Sequence, residues 1–483
     1  MQTKLTRKII GILLAGFSLV LLFPALISYA FNDGNHKPFI LASLITLLLS
    51  GILWIPARNA SQDLRLREGF TIVVLFWFVL SLCGSLPFYF SDVAYLTLTD
   101  SIFESFSGLT TTGATVITGL DSLPKSLLIY RQFLQWLGGM GIIVLAVAIL
   151  PILGIGGMQL YRAETPGPVK DSKLTPRIKE TAKALWYIYL SLTIVCAVSY
   201  KIAGMTWFDA VSHSFSTVAI GGFSTYDQSI GFFNSSLIDF VAIVFMFLSG
   251  INFSLHFLSW KTANLKSYVL DSEFKAYLLI LLCTVVICTL VLESNNIYNN
   301  VGDSIRFSFF QAISIGTTTG FTNTEHSGWP TFLPMLLLLV SFIGGCAGST
   351  GGGIKVIRFM LLCKQGAREI LRLIHPNAIL SIRIGKRVIS DRVIEAVWGF
   401  LAIYILIFLI LFLSIMATGL DQESAFSAVA ACLNNLGPGL GSVQNHYGEL
   451  TSAAKYLLCL AMLLGRLEIF TLLVLFTPAF WRA

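Results

Sequence analysis

Four short stretches of this 483-residue chain carry the residue types that could strip and hold a bare cation: "SGLTTTGAT" (Ser107 to Thr115), "STVAIGGFS" (Ser216 to Ser224), "SIGTTTGFT" (Ser314 to Thr322) and "ACLNNLGPG" (Ala431 to Gly439). Aligned on one glycine they give Gly113, Gly222, Gly320 and Gly437, spaced by 109, 98 and 117 residues. The match continues upstream, where Asp100 aligns with Asp209 and Phe106 with Phe215. The chemistry on offer is that of the backbone. Carbonyl oxygens from four extended segments around one axis replace the water shell of a dehydrated cation. The carbonyls placed to do so are those of Thr111, Thr112, Ile220, Gly221, Thr318, Thr319, Asn435 and Leu436, just before the four glycines. Glycine at the shared position admits the required dihedrals and keeps a side chain out of the lumen. One isolated TTTG reads as an ordinary turn; four at a near-constant period read as a repeated structural unit.

Such segments need elements to hold them. The chain is 55% hydrophobic and 12% charged, with a mean hydropathy of +0.79, against roughly 25% charged in soluble domains. It reads as an all-α polytopic membrane protein. Apolar runs long enough to cross a ~30 Å hydrocarbon core fall near 9–29, 38–55, 70–90, 134–154, 184–204, 236–258, 276–292, 394–417 and 455–478. The first follows Lys4, Arg7 and Lys8 as a signal peptide would, but it is too long and lacks a small-residue cleavage site, so it is expected to stay as a helix. Each Thr/Gly stretch follows a short helix whose start carries Asp100, Asp209, Asp303 or Asp421, residues suited to an N-cap. The C-terminal ends of these helices then face the pore and favour a cation.

The formal charge of +7 does not call for nucleic acid. Arg58, Arg65 and Arg67 fall in one connection, Arg162, Lys170, Lys173, Arg177 and Lys179 in the next, Lys261 and Lys266 in a third, and Arg368, Arg372, Arg383, Lys386 and Arg387 in a fourth. These are alternate connections, as cytoplasmic loops require, and they put the amino terminus in the cytoplasm. The eight cysteines lie mostly in apolar runs without a CxxC pair, and read as small core residues.

A further glycine cluster, "FIGGCAGSTGGGIKVIR", contains Gly344, Gly345, Gly348, Gly351, Gly352 and Gly353. The apolar run before it, Phe332 to Ile343, has 12 residues and covers only ~18 Å. With Lys355 and Arg358 marking the approach to the cytoplasm, the cluster must lie within the membrane, below the third filter segment. It is not a phosphate loop, because Gly353, Ile354, Lys355 and Val356 stand where Gly-Lys-Ser/Thr is needed; "GPGLGS" from Gly437 likewise misses GxGxxG. No nucleotide is therefore expected on this chain.

On these residues the sequence resembles the Trk/Ktr/HKT superfamily of potassium transporters, in particular its TrkH type, over essentially the whole chain. The resemblance implies two extra N-terminal helices (1–68) and four helix–pore-loop–helix repeats (69–180, 181–272, 273–388 and 389–483) around a pseudo-fourfold central pore. It implies a filter glycine in each repeat, matched by Gly113, Gly222, Gly320 and Gly437, and glycine at all four goes with potassium and rubidium selectivity. Serine in the first repeat accompanies sodium transport in some plant relatives, and this chain has none there. The fourth repeat departs most, with Asn434, Asn435, Leu436 and Pro438, so its segment is expected to be less regular. The resemblance makes Gly344 to Gly353 an intramembrane gating loop. It also implies a homodimer in the bacterial inner membrane, surrounded by membrane lipid, and a cytoplasmic nucleotide-binding regulatory subunit of the TrkA type. The basic loops Arg162–Lys183 and Lys364–Arg392 are candidate docking surfaces.

Arg466 lies centrally in the last apolar run, "LLGRLEIFTLL". A charge at that depth is costly and usually functional, so Arg466 is expected to face the pore, touch the glycine loop and raise a barrier to cations. Glu468, two residues on, faces away from it on a continuous helix. Glu104, His213 and Gln311 occupy equivalent repeat positions; a proton relay would make the protein a proton-coupled symporter, whereas bracing of the filter is the commoner role. No nucleophile–base pair or metal-ligand spacing stands out among His36, His256, His326, His375 and His446, so no enzyme is expected. A sodium-coupled carrier would show inverted repeats, whereas these four run in one orientation.

Overall fold

A computed structural model describes residues 3–60, 66–92, 95–141, 178–330, 332–378, 380–385 and 387–482. The chain opens with α1 (Thr3–Val20), α2 (Leu22–Phe31) and α3 (His36–Trp54). α1 and α2 join into one apolar span, Lys4–Phe31. α3 lies close against α1: the Ser50 and Ser43 hydroxyls donate to the carbonyls of Gly11 and Ser18, both at 2.7 Å. A Cβ on Gly11 would stand 2.8 Å from that of Trp54. Small residues take the place of a hydrophobic driving force between helices that lipid cannot supply.

Four similar units follow. The first has α4 (Leu66–Phe90), the short α5 (Leu98–Leu109) and α6 (Lys125–Trp136). The second has α7 (Ile178–Ile202), α8 (Trp207–Ala219) and α9 (Ser236–Ser249), leading into α10 (Phe253–Thr262) and α11 (Lys266–Leu270). The third has α12 (Ser272–Ser294), α13 (Val301–Gly316) and α14 (Leu333–Ile343), then α15 (Val356–Ile374). The fourth has α16 (Asp391–Met416), α17 (Gln422–Leu433) and α18 (Ser452–Arg466), then α19 (Phe470–Leu473). Among the described residues six helices are long and apolar enough to cross a membrane, or eight if two bent pairs are counted as spans. This is a multi-pass membrane protein with four pore-loop units.

The first helix of each unit is long, and the third is short in the second, third and fourth units. α9, α14 and α18 have 14, 11 and 15 residues, too few for a ~30 Å core. The expected run 236–258 bends by 93° after Ser249, and 455–478 bends by 107° after Arg466. Shortness was expected only of the third unit. The fourth expected run, 134–154, passes through a π-turn at Leu137–Gly141 and then lies outside the described residues.

The four short helices α5, α8, α13 and α17 form the buried centre. Their caps differ from the expectation in three cases. Thr97, Thr206 and Asn300 are the N-caps, accepting from the amides of Asp100, Asp209 and Gly302, while Asp100, Asp209 and Asp303 sit three residues in. Only Asp421 caps directly, at the amide of Ser424. A carboxylate in the first turn still complements the helix dipole, and Thr97 with Asp100 forms a full capping box. Ion pairs at this end join neighbouring units: Lys455 Nζ lies 2.6 Å from Asp100, and Arg306 Nε 2.7 Å from Asp239.

Candidate functional site

Each short helix ends directly on a Thr/Gly stretch, and the four stretches share one backbone pattern. Thr111, Ile220, Thr318 and Asn435 have φ of +56°, +55°, +69° and +53°, and Gly113, Gly222, Gly320 and Gly437 have +82°, +81°, +83° and +101°. The residue between each pair is not left-handed. In an ordinary strand successive carbonyls point to opposite sides, whereas a φ alternating in sign turns them toward the same side. The stretches are therefore not β-strands, and Asn435 shows the fourth repeat to be as regular as the rest.

The glycines close a ring. A Cβ on Gly113 would overlap the carbonyl oxygen of Gly221, one on Gly222 that of Thr319, and one on Gly320 that of Leu436. A Cβ on Gly437 would lie 2.6 Å from the oxygen of Thr112. Each repeat thus packs its glycine on the carbonyl just before the next repeat's glycine, and the fourth returns to the first. All twelve sequence-expected filter residues meet here. The asparagines of the fourth repeat stitch the ring: Asn435 Nδ2 donates to Thr112 Oγ1 at 3.0 Å, and Asn434 Nδ2 to Ser341 Oγ at 3.1 Å. In the first and third repeats Thr110 with Thr112, and Thr317 with Thr319, share hydroxyl bonds of 2.8 and 2.7 Å.

The segment after each of the first three glycines is braced from its own short helix. Glu104 accepts from Thr115 Oγ1 and from the amide of Val116 at 3.0 Å. His213 Nε2 bonds Ser224 Oγ at 2.9 Å, and Gln311 Nε2 donates to the carbonyl of Thr324 at 3.2 Å. Sequence reasoning missed the partner of Glu104. Arg131 on α6 is 1% exposed, lies 2.7 Å from Glu104 by Nε, and reaches Ser224 O at 3.0 Å and Thr115 Oγ1 at 2.9 Å. Its three nitrogens are all engaged, as a buried guanidinium requires. From the same helix Gln135 takes the amide of Phe223 at 3.1 Å. The available signal was the polar pattern Arg131, Gln132, Gln135 at the head of an apolar run.

On one side the four glycines open into a cavity of about 590 Å³, whose walls include the carboxylates of Asp227 and Glu325. On the other side the glycine loop crosses beneath the ring. The amide of Gly352 donates to Thr318 Oγ1 at 2.7 Å, and that of Gly353 to Asn434 O at 3.1 Å. Thr350 Oγ1 donates to Val218 O at 3.0 Å. A Cβ on Gly352 would overlap Asn434 O, and one on Gly351 would stand 2.8 Å from Thr317 O. Glycine is needed because the loop lies backbone to backbone against the ends of the short helices. Gly345 and Gly348 sit elsewhere, against Gly250 and Asn252 at the break of the second repeat, and Gly344 packs on Gly352 and Gly353.

Arg466 completes the underside. It stands where α18 ends, so the expected central helical position is in fact a helix terminus followed by left-handed Glu468 and Ile469. Its Nη1 donates to Thr111 Oγ1 at 3.1 Å and to Thr350 O at 3.2 Å, and its Nη2 to Gly139 O at 2.7 Å and to Gly138 O. One guanidinium thereby joins the first-repeat Thr/Gly stretch, the glycine loop and the π-turn that follows α6. The break also turns Glu468 onto Arg358, with which it pairs.

The family described as "TrkH: Cation transport protein" matches residues 35–483. The chain is 56% identical over 485 residues to the Trk system potassium uptake protein TrkH of Vibrio parahaemolyticus, covering 100% of both chains. It is 54% identical over 482 residues to the protein of that name from Escherichia coli K12, again covering 100% of both. It superposes on the crystal structure of the potassium transporter TrkH from Vibrio parahaemolyticus with a TM-score of 0.91 at 54% identity, covering 100% of each chain. With four pore-loop units closing one glycine–carbonyl ring, and with this likeness over its full length, the chain belongs to the TrkH family of cation transport proteins.

Proposed function

We propose that this chain takes up potassium across the bacterial cytoplasmic membrane, with the ring as its selectivity filter and the glycine loop with Arg466 as its gate. The observation that carries this reading is the closed ring in which every filter glycine abuts the next repeat's carbonyl. A ring so packed holds its carbonyls at a set field and spacing, which is what discrimination among alkali cations needs. The carbonyls of Thr111, Thr112, Ile220, Gly221, Thr318, Thr319, Asn435 and Leu436 dehydrate the ion. Relatives named as potassium uptake proteins support potassium as the cargo, and they are transporters rather than enzymes. Lys261, Lys266, Arg368, Arg372 and Arg383 follow the third helices of the second and third repeats, and because positive charge favours the cytoplasmic side we read the loop end as cytoplasmic and the 590 Å³ cavity as an external vestibule.

The repeats divide at 69–180, 181–272, 273–388 and 389–483, after two N-terminal spans in 1–68. The chain works as a homodimer with a cytoplasmic nucleotide-binding subunit of the TrkA type, docked on the basic connections. Of these, Lys364–Arg392 is largely described, while Arg162 to Arg177 lies outside the described residues. The test is potassium-limited growth of a transport-deficient bacterial strain together with potassium and sodium flux into purified vesicles. Rescue of growth with flux favouring potassium is expected; equal flux of both ions would overturn the filter assignment.

A further inference from the structure

Glu273 lies in the first turn of α12 and is 8% exposed. Its Oε1 accepts two backbone bonds, from the amide of Ala347 at 2.7 Å and from that of Ile357 at 3.2 Å. Ala347 is inside the glycine loop, and Ile357 is in the first turn of α15 just after it. One side-chain oxygen therefore ties both the loop and the helix that follows it to a neighbouring helix. The same stretch of chain holds the loop a second way. Tyr268 on α11 bonds His256 Nδ1 at 2.7 Å, and His256 Nε2 lies 2.9 Å from Leu248 O at the break of the second repeat. The next two carbonyls of that break, of Ser249 and Gly250, accept from the amides of Thr350 and Cys346, at 3.4 and 2.9 Å. Only Asp271 separates α11 from α12, and it caps α12 by accepting from the amide of Phe274 at 2.8 Å.

We propose that Glu273 is the positioning residue that latches the glycine loop beneath the filter, and that a displacement of α11 and the start of α12 releases it. This rests on the reading of the loop as the gate. Without the acceptor two buried amides lose their partner, a cost that the loop escapes by leaving its seat. The connection from α10 to α12 thus offers a direct handle on a loop more than 70 residues further along the chain.

Cys346, 1% exposed and next to Ala347, reports loop release, and Cys432, 0% exposed in α17, reports general unfolding. Full-length protein in vesicles is treated with N-ethylmaleimide, labelling of each cysteine is read by mass spectrometry, and potassium flux is measured in parallel. Glu273→Ala is expected to label Cys346 about thirtyfold faster, the equivalent of two buried amides left without their partner at the low end of that cost, to raise flux, and to leave Cys432 protected. Glu273→Gln, whose amide oxygen can accept both bonds, is expected to match wild type in both measurements. A partial deletion of Gly344–Gly353 tests the gate separately. If the deletion raises flux while Glu273→Ala keeps Cys346 protected and flux unchanged, the latch is overturned and the gate stands. If the deletion leaves flux unchanged, the gate falls and takes the latch with it. Labelling of Cys432 together with Cys346 in Glu273→Ala would assign Glu273 to folding alone and overturn the proposal.

Discussion

In the glycine–carbonyl ring each repeat places a glycine at one aligned position, each with a positive φ and each seated on the next repeat's carbonyl. In the loop beneath it six glycines crowd into one repeat, only Gly344, Gly348 and Gly353 have a positive φ, and their neighbours all differ. The filter is fourfold and is braced from outside by side chains such as Glu104 and Arg131. The loop is unsymmetrical and touches the repeats through backbone bonds at Thr318 and Asn434 and through the Thr350 hydroxyl at Val218. A symmetric ring suits selectivity, since all coordinating groups must be equivalent at once. A single asymmetric segment suits control, since it can move without breaking that equivalence.

The largest expected effect lies in the bracing. Arg131→Ala leaves the Glu104 carboxylate buried without its cation, which costs about 3–5 kcal/mol; thermal unfolding in detergent measures it. A stability equal to wild type would mean that the filter does not depend on this brace, and the contrast with the loop would weaken. Next comes Gly222→Ser, which strains a left-handed position and pushes on Thr319 O. Together these amount to roughly 3 kcal/mol, and the potassium-over-sodium flux ratio is expected to fall on the order of a hundredfold. Gly437→Ser sharpens the comparison, because its Cβ would stand 2.6 Å from Thr112 O rather than overlap an oxygen; its loss should be several-fold milder. Equal losses at both positions would argue against the packing as the cause.

On the loop side, Arg466→Ala removes bonds from a charged donor worth about 1.5 kcal/mol or more. Potassium flux is expected to rise about tenfold with an unchanged potassium-over-sodium ratio, measured in vesicles with and without the regulatory subunit. A change of selectivity without a change of rate would move Arg466 from the gate to the filter. The smallest effect concerns neither region. Asp33, between α2 and α3, is pushed up by burial, but bonds from Ser28 and from the amides of Ser126 and Asn35 outweigh this and hold its carboxyl below the usual 3.8. A lowered carboxyl stabilises the fold above that pH, and the contribution is lost as pH falls through the lowered value. The side chain is half-buried at the surface and Asn keeps an acceptor oxygen, so Asp33→Asn is expected to cost only about 0.5 kcal/mol at pH 7. The difference in melting temperature between Asp33→Asn and wild type should shrink as pH falls below the usual 3.8; a constant difference would refute the titration.

The filter was legible because glycine is the residue that a positive φ next to another backbone demands, and it recurs at a readable period. The left-handed Thr111, Ile220, Thr318 and Asn435 were not legible, since a threonine, an isoleucine and an asparagine share no local preference that places them there. Closure of the ring imposes that conformation on them. The break in the second repeat left a trace in Gly250 and Asn252, both turn residues. The break after Arg466 left none, because Leu467, Glu468 and Ile469 all suit a helix.

By itself the sequence determined the membrane class, the four units, the glycine of each Thr/Gly stretch, the short run before the loop and the position of Arg466 in the last apolar run. These follow from composition, period and residue type, which act locally and need no partner. Tertiary structure alone decided that Arg131 answers Glu104, that Glu468 turns to Arg358, that Arg466 joins Thr111 to Thr350, and that Glu273 grips the loop. The members of the last two sets lie from about 70 to more than 350 residues apart. Buried polar groups far apart in the chain must find each other to be satisfied, and which ones meet is settled only when the helices pack.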